Sequence, residues 1–232
     1  MRYGKIALIA AIFVFTLAIS LHAGGNRERD EGQANTHTVA LATMPTNLDP
    51  QMTNNLHSSM VQEHIFNQLV AVDSEMNTVP ALAENWVWDE PTRLRIFLRR
   101  GVRFHNGDEM KASDVKFSLD RARASPFVGF MVNMIQSVET VNDREVLINL
   151  DYPFEPLVSH LAHMGTSIVS ERAVRELGGV GHSLTPVGTG PYKVANIVLG
   201  DLIELTRWNN YWGTPPGTQN LAFRINDLCC RP

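Results

Sequence analysis

Apolar and polar positions alternate most clearly at Leu94, Ile96 and Leu98, which are interleaved with Arg95, Phe97 and Arg99. A period of two predicts a strand with one buried face. Val146, Ile148 and Leu150 alternate in the same way and predict the return strand of a hairpin over 137–150 that turns at Asn142-Asp143. A second hairpin is predicted where Tyr192 to Ile197 and Leu202 to Trp208 flank Gly200-Asp201. Thr38 to Leu41 is a short β-prone run, closed by the turn formers Pro45, Asn47, Asp49 and Pro50. Asn106-Gly107 reads as a tight turn, because both residues accept positive φ.

Spacings of three and four mark the helices. From Ser58 onward Met60, Val61, Ile65, Leu69 and Val72 share one face, which predicts a helix ending near Gln68. Val115, Leu119 and Ala122 supply the buried stripe of another, with Ser113 as its expected cap and Asp114 in the first turn, where the helix dipole favours an acid. Leu157, Leu161 and Met164 keep helical spacing after Pro156. Ser170 to Leu177 predicts a short helix stopped by Gly178-Gly179. Ala83, Glu84, Asn85 and Trp86 read as a short turn feeding an aromatic. Strands and helices mixed in this way, with several hairpins, predict an α/β fold whose sheets are mixed or partly antiparallel.

Composition narrows the classes. At 232 residues, 44% hydrophobic and 19% charged, the chain has ordinary globular usage, which excludes disorder, collagen and a polytopic membrane protein. A net charge of -4 gives no general attraction to phosphate backbones, so no nucleic-acid partner is expected. The two cysteines, Cys229 and Cys230, are adjacent, and a disulfide needs Cα atoms about 4.4 to 6.8 Å apart. Neither a disulfide framework nor a CxxC metal site can be built from them.

The first residues carry addressing information. Arg2 and Lys5 precede the apolar run Ile6 to Leu21, which contains only Thr16 and Ser20 as polar members, and Ala23, Gly24 and Gly25 follow. That order predicts a signal peptide over residues 1–23, and hence a periplasmic or extracytoplasmic location. The apolar run is shorter than the roughly 18 to 20 residues that span a bilayer, and no cysteine follows it to carry a lipid. Without residues 1–23 the chain holds 18 basic against 24 acidic side chains. Residues 24–36 contain no large apolar side chain and are expected to form a flexible tether.

Signatures of catalysis are absent from the sequence. It contains no GxSxG, HExxH or GxxxxGK[ST], and Gly188-Thr189-Gly190 lacks a third glycine and runs into Pro191, which cannot donate to a phosphate. His160 and His163 can share a helix side, but no third ligand has recognisable spacing, and His57 and His64 are weaker still. No catalytic residue, metal or cofactor is therefore assigned.

Seven blocks carry a family resemblance. They are Asn47 to Pro50, Ile65 to Val70, Pro80 to Trp86, Leu98 to Gly107, Ala112 to Arg121, Pro186 to Tyr192 and Asn210 to Gly213. In this order they resemble the extracytoplasmic solute-binding proteins, family 5, of peptide and nickel ABC transporters. The resemblance covers residues 38 to about 226. It implies a periplasmic-binding-protein-like class II fold, represented by its N-terminal half only: a mixed-sheet lobe with an inserted smaller α+β subdomain. Residues 37–72 and 165–226 would form the first lobe and 73–164 the inserted subdomain. The family's chain is about twice this length, and after Asn226 the expected continuation is replaced by a divergent tail, 227–232. A second lobe, with the charged groups that clamp peptide termini, would then be lacking.

The resemblance also implies the function. A member captures an oligopeptide or dipeptide outside the membrane and delivers it to the permease subunits of an ABC transporter, as a monomer and without catalysis. Asn54, Asn55 and Leu56, by their offset from the Asp49-Pro50 turn, and Phe127, after Ser125-Pro126, match positions that line the family's ligand cleft. Their backbone groups would pair with an extended peptide as an added strand. The helix Ser113 to Arg121, the strand pair Arg93 to Arg103 and the bend Gly188 to Tyr192 are expected to be structural, and Trp86, Trp88, Trp208 and Trp212 to be packing anchors. The competing readings are a nickel, metal or haem binder of the same transporter type, a secreted hydrolase, and a shortened product without function.

Overall fold

A computed structural model describes residues 35–225. The predicted signal peptide, nearly all of the tether and the divergent tail lie outside the described residues. Among those described, no helix is long and apolar enough to cross a membrane.

Two four-stranded sheets organise the chain. Strands β1 (Thr36–Leu41), β2 (Val70–Val72), β3 (Thr78–Pro80), β4 (Ala83–Glu90) and β5 (Arg93–Leu98) are followed by β6 (Ile135–Asn142), β7 (Glu145–Leu150), β8 (Tyr192–Val198), β9 (Leu202–Arg207) and β10 (Asn220–Ile225). The first large sheet has the order β1-β10-β9-β8 and the second the order β4-β5-β7-β6. β1 lies parallel to β10, while β8, β9 and β10 are antiparallel neighbours, so the first sheet is mixed. The second is antiparallel throughout, and β2 and β3 form a small ribbon. All strands of the second sheet fall between β1 and β8 in sequence, so the chain leaves the first sheet after one strand and returns to complete it.

The alternation is realised where it was strongest. Leu94, Ile96 and Leu98 are buried in β5, and Val146, Ile148 and Leu150 in β7 face the same core. The helix α2 (Ala112–Ala124) packs Val115, Leu119 and Ala122 into it. A second apolar cluster joins Leu41, Val61, Ile65, Phe66, Ile203 and Phe223 under the mixed sheet. Both hairpins form, with Gly200 at φ 81 in the second.

Other elements differ from the periodicity, each for a local reason. The helix α1 runs over Leu56–Ile65, not 58–68, because Asn55 caps its start and residues 70–72 join the β ribbon instead. Ala83 to Trp86 opens strand β4 rather than a turn, since its backbone pairs with β5. Lys111, not Ser113, occupies the cap position of α2, and the Asp114 carboxylate accepts the Lys111 N–H at 2.9 Å. Residues 157–164 give only one turn of helix, α3 (Leu157–His160), and a 3-10 turn at Met164–Thr166. The helix α4 (Glu171–Leu184) is interrupted where the sequence predicts its stop: Gly178 has the non-helical φ 69 and ψ 172, and further helical turns follow the break.

The Asn106-Gly107 turn forms with positive φ at Gly107 alone, at 90°. Nothing lies within 4 Å of a Cβ built there, so any cost of substitution is backbone strain. Gly107→Val is expected to cost about 1–3 kcal/mol, measured by urea unfolding; an unchanged midpoint would show that the turn relaxes without penalty.

Candidate functional site

The loop between β1 and α1 is built around Asp49. The Asn47 side chain accepts the Asp49 N–H at 2.8 Å, and Asp49 Oδ1 accepts the Gln51 N–H at 3.1 Å, so the Asn47 to Gln51 segment folds on its own side chains. Asp49 is fully buried. Arg121 from α2 donates to both its oxygens at 2.7 Å, and to Gln51 Oε1 at 2.5 Å. His182 of α4, also fully buried, donates from Nδ1 to Asp49 Oδ2 at 3.0 Å, while its Nε2 faces the Val187 N–H. Burial pulls the Asp49 pKa upward, but the hydrogen bonds and charges of His182 and Arg121 outweigh it and leave the carboxyl at about 2.

This buried cluster fixes two surface segments beside each other. Ser125, at the end of α2, donates from Oγ to the Gln51 carbonyl at 2.6 Å, and Gln51 Nε2 donates to the Ser167 carbonyl at 3.0 Å. The same Ser125 Oγ accepts the N–H groups of Phe127 and Val128 at 3.1 and 3.3 Å. The loop 51–56 and the turn 125–128 are therefore held by one hydroxyl.

The four expected ligand contacts sit on these two segments. Asn54 is exposed. Asn55 caps α1, its Oδ1 accepting the N–H groups of His57 and Ser58 at 2.9 and 3.2 Å, so that oxygen is already engaged. Leu56, 71% exposed, points out from the first turn of α1, and Phe127 is 41% exposed across the Ser125 bond. Met52, Met60 and Phe130 add exposed apolar surface to the same segments. Sequence reasoning missed Gln51, Arg121, Ser125 and His182, and the signal available was an aspartate fixed between Leu48 and Pro50 with no Lys or Arg nearby in sequence.

The other polar groups singled out in the sequence serve packing. His160 Nδ1 bonds the Met131 carbonyl at 2.8 Å, and His163 Nδ1 accepts the Gly165 N–H at 3.0 Å. Trp86, Trp88 and Trp212 lie against the larger core, with Trp212 Nε1 donating to Asn67 at 3.0 Å. Trp208 instead stands edge-on to His105, beneath the Lys193 ammonium. Burial lowers the His105 pKa to about 4 despite the Gly190 carbonyl at its Nε2, so this imidazole is neutral at pH 7.

The interrupted mixed sheet with its nested antiparallel unit defines the class: a periplasmic-binding-protein-like fold, of which this chain holds a part. Among solved structures it is similar to the binding protein MoaA in complex with mannopinic acid from A. tumefaciens R10, with 28% identity and a TM-score of 0.76 over 84% of this chain and 41% of that one. It is also similar to the ABC transporter-associated periplasmic binding protein DppA from Helicobacter pylori in complex with peptide STSA. There the identity is 24% and the TM-score 0.73, over 84% of this chain and 44% of that one.

Residues 77–227 match the family described as bacterial extracellular solute-binding proteins, family 5 Middle, and the chain belongs to that family. The glutathione-binding protein GsiB of Salmonella choleraesuis is 32% identical over 179 residues, which are 75% of this chain and 35% of that protein. The chain thus spans about a third of the length of that relative.

Proposed function

We propose that this chain is part of the solute-binding component of an ABC transporter, which captures peptides outside the cytoplasmic membrane and passes them to the permease without chemical change. Residues 37–72 and 165–226 form one lobe in this reading and 73–164 an inserted subdomain. The ligand lies along Asn54, Asn55, Leu56 and Phe127. One observation carries the proposal: a single hydroxyl, Ser125 Oγ, ties Gln51 at the start of the loop 51–56 to the turn bearing Phe127, so that two chain segments distant in sequence are held beside each other. Family membership supplies the class of activity.

An extended peptide crossing these two segments would gain backbone hydrogen bonds regardless of its sequence and apolar contacts from Leu56 and Phe127. Isothermal titration of the chain with a pool of di- to pentapeptides is expected to give saturable binding that Phe127→Ala weakens about tenfold. Turnover of the peptides, or binding unaffected by Phe127→Ala, would remove this reading.

A further inference from the structure

Strand β8 is the last in its sheet, and among the described residues its outer edge has no strand partner. A cavity of about 620 Å³ lies along residues 193–197 of this strand, between them and the end of α4 at 184–187, with His105 and Asn106 completing the lining. Most of that lining is apolar: Leu184, Val187, Val194, Ile197 and Leu199. Leu184 is 43% exposed and Leu199 79%, so this apolar surface is open to solvent. A cavity of this size and lining suits a small organic ligand.

One cation stands in the cavity. The Lys193 ammonium lies 5.1 Å from the centre of the Trp208 ring, and no carboxylate among the described residues pairs with it. The described lining contains no Asp or Glu. Asp108 and Glu204 border it but are engaged, Asp108 by the Asn106 amide at 2.8 Å and by Arg172, and Glu204 by the Asn196 amide at 3.0 Å. The wall behind Lys193 is fixed by hydrogen bonds. His105 donates from Nε2 to the Gly190 carbonyl at 3.0 Å and from its backbone N–H to the Gly188 carbonyl at 2.9 Å, and the Trp208 backbone N–H donates to the Pro191 carbonyl at 2.8 Å. Neutral at pH 7, His105 adds no second cation.

We propose that this cavity is a second ligand site, for a small organic anion with an apolar body and one carboxylate. It shares no residue with Asn54, Asn55, Leu56 and Phe127, and it does not depend on the peptide reading. The ligand's body would lie against Leu184, Val187 and Ile197, removing apolar surface from water on both partners. Its carboxylate would meet Lys193, which the face of Trp208 holds in place. An added peptide strand suits this edge less well. The register shift between Val194 and Asn196 makes β8 irregular, and a bulge with a nearby lysine is a device that blocks edge pairing.

Dansylglycine and dansylglycinamide share one aromatic body and differ in the carboxylate, so titrating the full chain with each, followed by dansyl fluorescence, separates body from charge. Dansylglycine is expected to bind about tenfold more tightly. Raising the salt from about 50 to 500 mM should reduce that preference severalfold, because Lys193 is only partly buried. Lys193→Gln should abolish the preference and Lys193→Arg should keep it. Leu199→Ser, a change at the exposed hairpin tip, should weaken both probes about threefold. Phe127→Ala should change neither.

Equal affinity for the two probes, or a preference that survives Lys193→Gln, would overturn the anion site, as would the absence of saturable dansylglycine binding. Unchanged binding of both probes to Leu199→Ser would overturn it without reliance on Lys193. Binding abolished by Phe127→Ala and untouched by Lys193→Gln would put the probe on the proposed peptide site, overturning this inference while supporting that one.

Discussion

Replacing Arg121 with methionine is expected to destabilise the folded chain by about 3–5 kcal/mol at pH 7. The guanidinium is the main counter-charge of a carboxylate with no exposed surface, and its loss leaves Asp49 with the His182 imidazole and the Gln51 N–H. Methionine fills much the same volume, so the effect isolates the lost charge and its hydrogen bonds. The pH dependence gives a second reading of the same group. Asp49 is held at about 2, below its ordinary 3.8, so it contributes stability that is fully present above about pH 4 and is lost as the pH falls through 2. That contribution is about 2 kcal/mol. The gap between wild type and Arg121→Met should therefore begin to narrow below about pH 4, where the carboxyl of the unfolded chain takes up a proton and the stabilisation from the native ion pair declines. Urea unfolding at pH 7 and pH 3 measures both; a gap below about 1 kcal/mol at pH 7, or one that does not narrow, would count against the assignment.

Gly190→Ala is expected to cost about 3 kcal/mol or more, at the upper end of overpacking effects. A Cβ on Gly190 would sit 2.5 Å from the Ile65 carbonyl carbon and 2.6 Å from the His64 carbonyl oxygen, and one on Gly188 would sit 2.0 Å from the Ile65 oxygen. These neighbours are backbone at the end of α1 and have no rotamer to change. The Gly190 N–H also donates to the Ile65 carbonyl at 2.8 Å, so moving this segment away breaks a hydrogen bond as well. Gly217→Ala serves as the control, since nothing lies within 4 Å of its Cβ, and should stay within about 0.5 kcal/mol of wild type. Thermal unfolding of the two variants decides the matter, and a Gly190→Ala protein as stable as the control would show that the approach to α1 is looser than described. The requirement here is space. The sequence suggested a sharp bend at Gly188 to Tyr192, yet neither Gly188 nor Gly190 has positive φ.

These two sites show where the sequence is sufficient and where it is not. Period-two runs such as Leu94-Ile96-Leu98 identify β5 and β7 because every second side chain of a half-buried strand must face the core, and that rule is local. The hairpins at Asn142-Asp143 and Gly200-Asp201 follow from turn chemistry of the same short range. Ala83 to Trp86 was misread because that strand is half exposed and irregular, with a register shift after Ala83, and only pairing to β5 extends it. The seven family blocks were legible as a series, and they carried the fold class and the family.

The candidate site was legible in part. Asn54, Asn55, Leu56 and Phe127 could be named from resemblance, but nothing in the sequence states that Ser125 bonds Gln51 across 74 positions. The same holds for Asp49, whose partners Arg121 and His182 lie 72 and 133 residues away. Periodicity and turn residues report interactions within a few positions along the chain, and those determined the strands, the helices and their faces. The buried ion pair, the backbone approach at Gly188 and Gly190 and the bond that joins the turn at Ser125 to the loop 51–56 depend on which elements meet. Only tertiary packing, driven by burial of the two apolar clusters, decided that.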